Sequence, residues 1–160
     1  MEHDMPGLSQ KIAYVLGILI PLTLLAASLT FPSAALAREC PETARAIIND
    51  VHITVRLACD PESIRNGLSR VESLGLQEGM LFILPQRRMA SFWMKEMNFP
   101  LDIIWIDQNR VVGIEVNCPP EGERPTRRYP SPGPVDMVLE VNAGFADRHN
   151  IGPGDAVRIE

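Results

Sequence analysis

The sequence predicts an all-β fold: a jelly-roll-like antiparallel sandwich or barrel with one or two short helices, preceded by an N-terminal signal or transmembrane segment. Three observations carry this. Ile53-Thr54-Val55-Arg56-Leu57 alternates apolar and polar residues, as a strand with one buried face does. The β-branched runs Leu101 to Ile106 and Arg110 to Val116 flank the turn-forming Asp107-Gln108-Asn109, the best hairpin signal in the chain. About seven short strand candidates alternate with turns, and at most two short helices interrupt them.

The first element is the apolar leader. Ile12 to Leu29 carries no charge and is interrupted by Pro21, Thr23 and Ser28. Ala35-Leu36-Ala37 then offers the small-x-small pattern that a signal peptidase accepts, which would leave Arg38 first in the mature chain. The run also just reaches membrane-spanning length, so an uncleaved anchor is the alternative. Either way the globular part is expected outside the cytoplasm, periplasmic or extracellular, with membrane contact only through residues 12–29. The expected organisation is a leader over 1–37, a linker over 38–49 and a single domain over 50–160.

The domain elements follow in order. Asp60-Pro61-Glu62 reads as a helix start: Asp60 caps free N–H groups, Pro61 suits the first helical position and Glu62 meets the positive dipole end. Met80 to Leu84 is a continuous apolar run ended by Pro85, as in a strand buried on both faces. Gln86 to Arg88 reads as a turn and Ala90 to Met94 as a further strand. Residues 117–134 read as a stiff loop, because Pro119, Pro120, Pro125, Pro130, Pro132 and Pro134 exclude a central strand. Met137 to Val141 is a strand, Asn142 caps a short helix, and Ala156 to Ile159 closes the chain.

Charge and cysteines bound the function. The chain has 160 residues and net charge −5; residues 1–37 hold only Lys11, Glu2 and Asp4, leaving 14 basic and 18 acidic side chains, net −4, in residues 38–160. That balance disfavours a nucleic-acid binder, which needs a basic face. Cys40, Cys59 and Cys118 are odd in number; Cys40 with Cys59 is the preferred pair, and three unpaired thiols the alternative. No metal-ligand spacing involves His52 or His149, and no cofactor motif occurs.

Several segments, taken in order, resemble one family. Asp60-Pro61-Glu62 through Leu68, Glu78 to Phe82, Ser91 to Lys95, Pro100 to Ile103 with Ile106-Asp107, Tyr129 to Pro132, Leu139 to Gly144 and Gly152 to Val157 are similar to the motifs of domain-of-unknown-function family 192, over about residues 50–160. The resemblance implies a jelly-roll-like all-β fold, often exported from bacteria, and no established activity. Two departures stand out. Glu96-Met97 replaces the usual Asn-Thr, and Arg124 to Arg127 occupies a stretch where many members have a second loop cysteine.

The residues with chemical potential are Arg87, Trp93, Lys95, Asp102, Arg128, Tyr129 and Glu140. Lys95 and Asp102 would form either a structural ion pair or an anion-orienting pair. Trp93 is a core residue or a stacking platform. Glu140 faces solvent or a barrel mouth. If the proline loop folds over the Arg87–Lys95 region, the cations form a local positive site for a carboxylate, phosphate or anionic glycan. The leading expectation is a non-catalytic binding module for a small anionic or sugar-like ligand, with no catalytic residue, metal or cofactor assigned and an unknown small molecule or envelope component as partner. The alternatives are a hydrolase or lyase using Asp102 or Glu140 with Lys95, and a structural envelope interaction module.

Overall fold

Tight turns of residues that tolerate a left-handed backbone set the pairing at both ends of the sheet. The computed structural model describes residues 40–160, so the leader expected over residues 12–29 lies outside the described residues. Strand β1 (Thr43–Ile48) turns through Asn49 and Asp50, with φ of 49° and 61°, into β2 (Val51–Ala58). Strand β4 (Leu101–Asp107) turns through Gln108 and Asn109, with φ of 47° and 61°, into β5 (Arg110–Cys118). Both are two-residue hairpins whose positive φ matches the strand twist. The hairpin expected at Asp107-Gln108-Asn109 is observed.

Helix α1 (Pro61–Asn66) starts as its sequence predicts: the Asp60 carboxylate accepts from the Glu62 and Ser63 amides, and Pro61 occupies the first turn. It ends at Gly67, whose φ of 49° suits glycine. The helix carries the chain from β2 to β3 (Glu78–Phe92), and these two strands pair in parallel. This is the one departure from an antiparallel sheet among the described strands, and a crossover segment is what a parallel pair needs.

The remaining elements are β6 (Tyr129–Asn142), α2 (Phe145–Arg148) and β7 (Val157–Ile159). The strands form one sheet in the order β5-β4-β6-β3-β2-β1-β7. Its two ends meet through an isolated bridge between Arg110 and Ala156, so the sheet curls into a half-barrel. The all-β expectation holds, in its barrel-like form.

Four boundaries differ from the sequence reading. Asn142 does not cap a helix: it ends β6 and its side chain donates to the Leu74 and Gly75 carbonyls, while α2 starts after Gly144. Residues 43–48, expected inside a linker, form β1, and Ala46 and Ile48 join the core. Strand β3 does not end at Pro85; it runs through to Phe92, and register shifts between Ile83 and Ser91 absorb the proline. Strand β6 includes Pro130, Pro132 and Pro134. Strand β4 pairs only with residues 137–142 of β6, so the proline half borders no strand there. Strand β4 therefore asks for no N–H group from Pro130, Pro132 or Pro134.

Both faces of the curled sheet are packed. One cluster includes Ile53, Val55, Leu81, Ile104, Leu139, Val141 and Phe145. The other includes Leu68, Met80, Phe82, Met94, Met97, Ile103, Trp105 and Val138. Burial on both sides explains why Leu101 to Ile106 reads as one unbroken buried run. Cys40 and Cys59 form a disulfide that ties the start of the described chain to the end of β2, while Cys118 is free and buried.

Candidate functional site

The segment 93–96 leaves the end of β3 and is clamped on both sides. Behind α1, the Arg70 amide donates to the Glu96 carbonyl at 2.8 Å and the Ser69 hydroxyl to the Lys95 carbonyl at 2.9 Å. From the proline loop, the Glu121 amide donates to the Met94 carbonyl at 2.9 Å. The Glu121 carboxylate accepts from the amides of Thr126 and Arg127, folding the loop back on itself. This fold brings Arg128 over Trp93, with the guanidinium carbon 4.2 Å from the ring centroid.

Glu96 has φ of 54°, a conformation that asparagine adopts more easily than glutamate. That accounts for the asparagine in the resembled motif. The glutamate found here pairs with Arg70, and the guanidinium holds its carboxyl below the usual range.

Two grooves and a cavity meet at Arg65 and Trp93. One groove, of about 360 Å³, runs along Arg65, Arg88, Ser91, Trp93 and Arg128. The second, of about 420 Å³, is bordered by Arg65, Arg70, Trp93, Lys95 and Glu96. Among the described residues, Arg65, Arg88 and Arg128 make no ion pair, and Lys95 shares Glu96 with Arg70 at 3.8 Å. Between the grooves lies a cavity of about 20 Å³, lined by Arg65, Gly67, Phe82, Trp93, Met97 and Glu140 among others.

Glu140 is only 4% exposed. It pairs with Met80 on β3 and Ile103 on β4, placing it in the middle of the sheet among apolar neighbours. Burial pushes its carboxyl up to about 8, with no cation offsetting it. The expected solvent-facing position is therefore corrected: the strand alternation points Glu140 at the face that α1 and Trp93 cover.

The other expected residues separate. Asp102 and Lys95 do not pair. Asp102 is fully buried, and its carboxylate accepts the backbone N–H groups of Asn117, Gly144 and Ala146 at 2.9, 3.1 and 3.0 Å. Asp102 opposes Val141 while Ile103 opposes Glu140, so the two carboxyl groups leave opposite faces of the sheet and form no acid–base pair. Arg87 is held by both oxygens of Asp107, at 2.6 and 2.8 Å, away from the grooves. Tyr129 packs against the cluster of Phe82 and Trp105. Arg65 belongs to the grooves and is not evident in the sequence, where nothing links α1 to Trp93. No group of acidic, histidine and cysteine side chains fit to hold a metal occurs among the described residues.

This is a half-barrel domain with a cationic groove beside a buried acid. The chain belongs to domain-of-unknown-function family 192, described as Uncharacterized ACR, whose model matches residues 44–159. It is similar to a solved protein of Sinorhizobium meliloti described as a candidate transcription regulator, with 32% identity and a TM-score of 0.67, covering 74% of this chain and 92% of that one. It is also similar to a protein of unknown function from Novosphingobium aromaticivorans, with 35% identity and a TM-score of 0.64, covering 72% of this chain and 83% of that one. No curated protein matches it.

Proposed function

We propose that the domain is a non-catalytic binding module for a small anionic ligand, acting outside the cytoplasm. One observation carries this reading. Arg65, Arg88 and Arg128 border a single groove and have no acidic partner among the described residues, on a domain whose net charge is −4. Guanidinium groups gathered in a concavity raise the local concentration of anions and can bind a carboxylate or phosphate through two parallel hydrogen bonds. The hydrolase or lyase reading loses its acid–base pair, because Asp102 and Glu140 face opposite sides. The extracytoplasmic reading is supported by the Ile12–Leu29 run, by Ala35-Leu36-Ala37 and by the Cys40–Cys59 disulfide, a bond typical of oxidising compartments. A thermal-shift series of the full-length protein with phosphate, sulfate and citrate tests the binding reading. A saturable rise in Tm that an Arg65→Ala/Arg128→Ala variant loses supports it. Rises no larger than chloride gives at equal ionic strength would overturn it.

A further inference from the structure

Glu140 poses a question that a plain anion site does not answer. An acid in the centre of a sheet, between Met80 and Ile103, carries a desolvation cost that an apolar residue would avoid. Among the described residues no donor and no cation reaches its carboxyl group. It does not abut packed side chains alone, since it lines the cavity beneath Trp93 and Arg65. That cavity, about 20 Å³, admits one group of water size, for which about 10–15 Å³ suffices. Gly67, which also lines it, lets the end of α1 lie close against the Phe82 ring: a Cβ there would come within 3.2 Å of that ring.

We infer that this cavity is a specificity subsite of the groove, where Glu140 receives a hydroxyl group carried by the anionic ligand, so that hydroxy acids are the preferred ligand class. The inference rests on the anion-binding reading of the groove. The chemistry selects the group. A neutral carboxylic acid offers one O–H donor and one carbonyl acceptor, and a hydroxyl complements both at once. A carboxylate or phosphate is excluded from the cavity by size, since about 20 Å³ admits only one group of water size, so the charged end stays on the guanidinium groups outside. Among the described residues Arg65 is the one other charged residue lining the cavity. Cys118 is the remaining titratable group that senses Glu140, and burial pushes its thiol up to about 12, so it is uncharged near neutrality.

The test is calorimetric titration of the full-length protein with lactate, propionate and alanine, which share a carbon skeleton and differ at one substituent. Lactate is expected to bind at least about tenfold more tightly than propionate, the discrimination of one well-made hydrogen bond. Glu140→Gln, which keeps a donor and an acceptor, should retain the preference. Glu140→Leu should abolish it while propionate binding persists, its fold being verified by circular dichroism. Equal binding of lactate and propionate, each lost in Arg128→Ala, would overturn the hydroxyl subsite and leave the anion groove standing. Tighter binding of alanine than lactate would overturn it in favour of an ammonium partner. Failure of all three to bind where phosphate still binds would overturn the hydroxyl subsite and leave the anion groove standing; failure of phosphate as well would overturn both readings.

Discussion

Arg128 lies with its guanidinium 4.2 Å from the centroid of the Trp93 ring, which joins the proline loop to the end of β3. Such a contact at an exposed site contributes about 0.5–1 kcal/mol. Trp93→Ala should therefore lower stability modestly and release Arg128. Because the released side chain no longer lines the groove, anion affinity is expected to fall severalfold without loss of the fold. A titration of phosphate into this variant, paired with a urea melt, separates the two effects.

Glu140 gives the domain a characteristic dependence on pH. Its carboxyl lies near 8 in the fold, against an ordinary value of 4.5. The native state thus binds more protons than the unfolded chain between those values. The stability linked to this group is fully present below 4.5 and is lost as pH rises through about 8, at no more than about 1.4 kcal/mol per pH unit. Urea melts from pH 5 to 9 should show this decline, and Glu140→Gln should flatten it. A wild-type curve that rises across the same window would contradict the assignment.

Asp102 has the opposite character. Its two oxygens satisfy three backbone N–H groups, two of them at the entry to α2. Replacement by alanine leaves those buried amides without acceptors, at a cost of about 3 kcal/mol or more. The expected result for Asp102→Ala is a large loss of stability with unchanged anion affinity in the fraction that remains folded. A loss of affinity at full stability would instead place Asp102 in the binding site.

The thiols give a prediction that depends on no ligand. Native protein should resist iodoacetamide at pH 8, because Cys40 and Cys59 are joined and Cys118 is buried with its thiol pushed up to about 12. Denaturant alone should expose one reactive cysteine, and denaturant with reductant three. Reduction should also destabilise the domain by about 3 kcal/mol, the loop-closure entropy for a separation of 19 residues. Mass spectrometry of the alkylated protein counts the sites.

Local patterns were legible where one segment decides its own structure. The Asp60 cap, the turn at Gln108 and Asn109 and the doubly buried run at Met80 to Leu84 all follow from neighbouring residues. The proline strand was not legible, because a proline is tolerated or not according to which side of the strand is open. That is a property of the partner strand. The same reason hid Arg65 and the burial of Glu140. Alternation showed that Glu140 and Asp102 stand on faces of β6 and β4, but not that α1 covers one face and α2 the other.

The join between the two ends of the sheet has a consequence for self-association. Val111, near the start of the outermost strand, exchanges backbone hydrogen bonds with Gly154 and Asp155, and Val157 donates to Asn109. Those peptide groups would otherwise be an exposed template for a strand from another molecule. The same end-to-end join that curves the sheet over its core thus withdraws part of its rim from intermolecular β-pairing, a protection of value to any strand-rich domain at high local concentration.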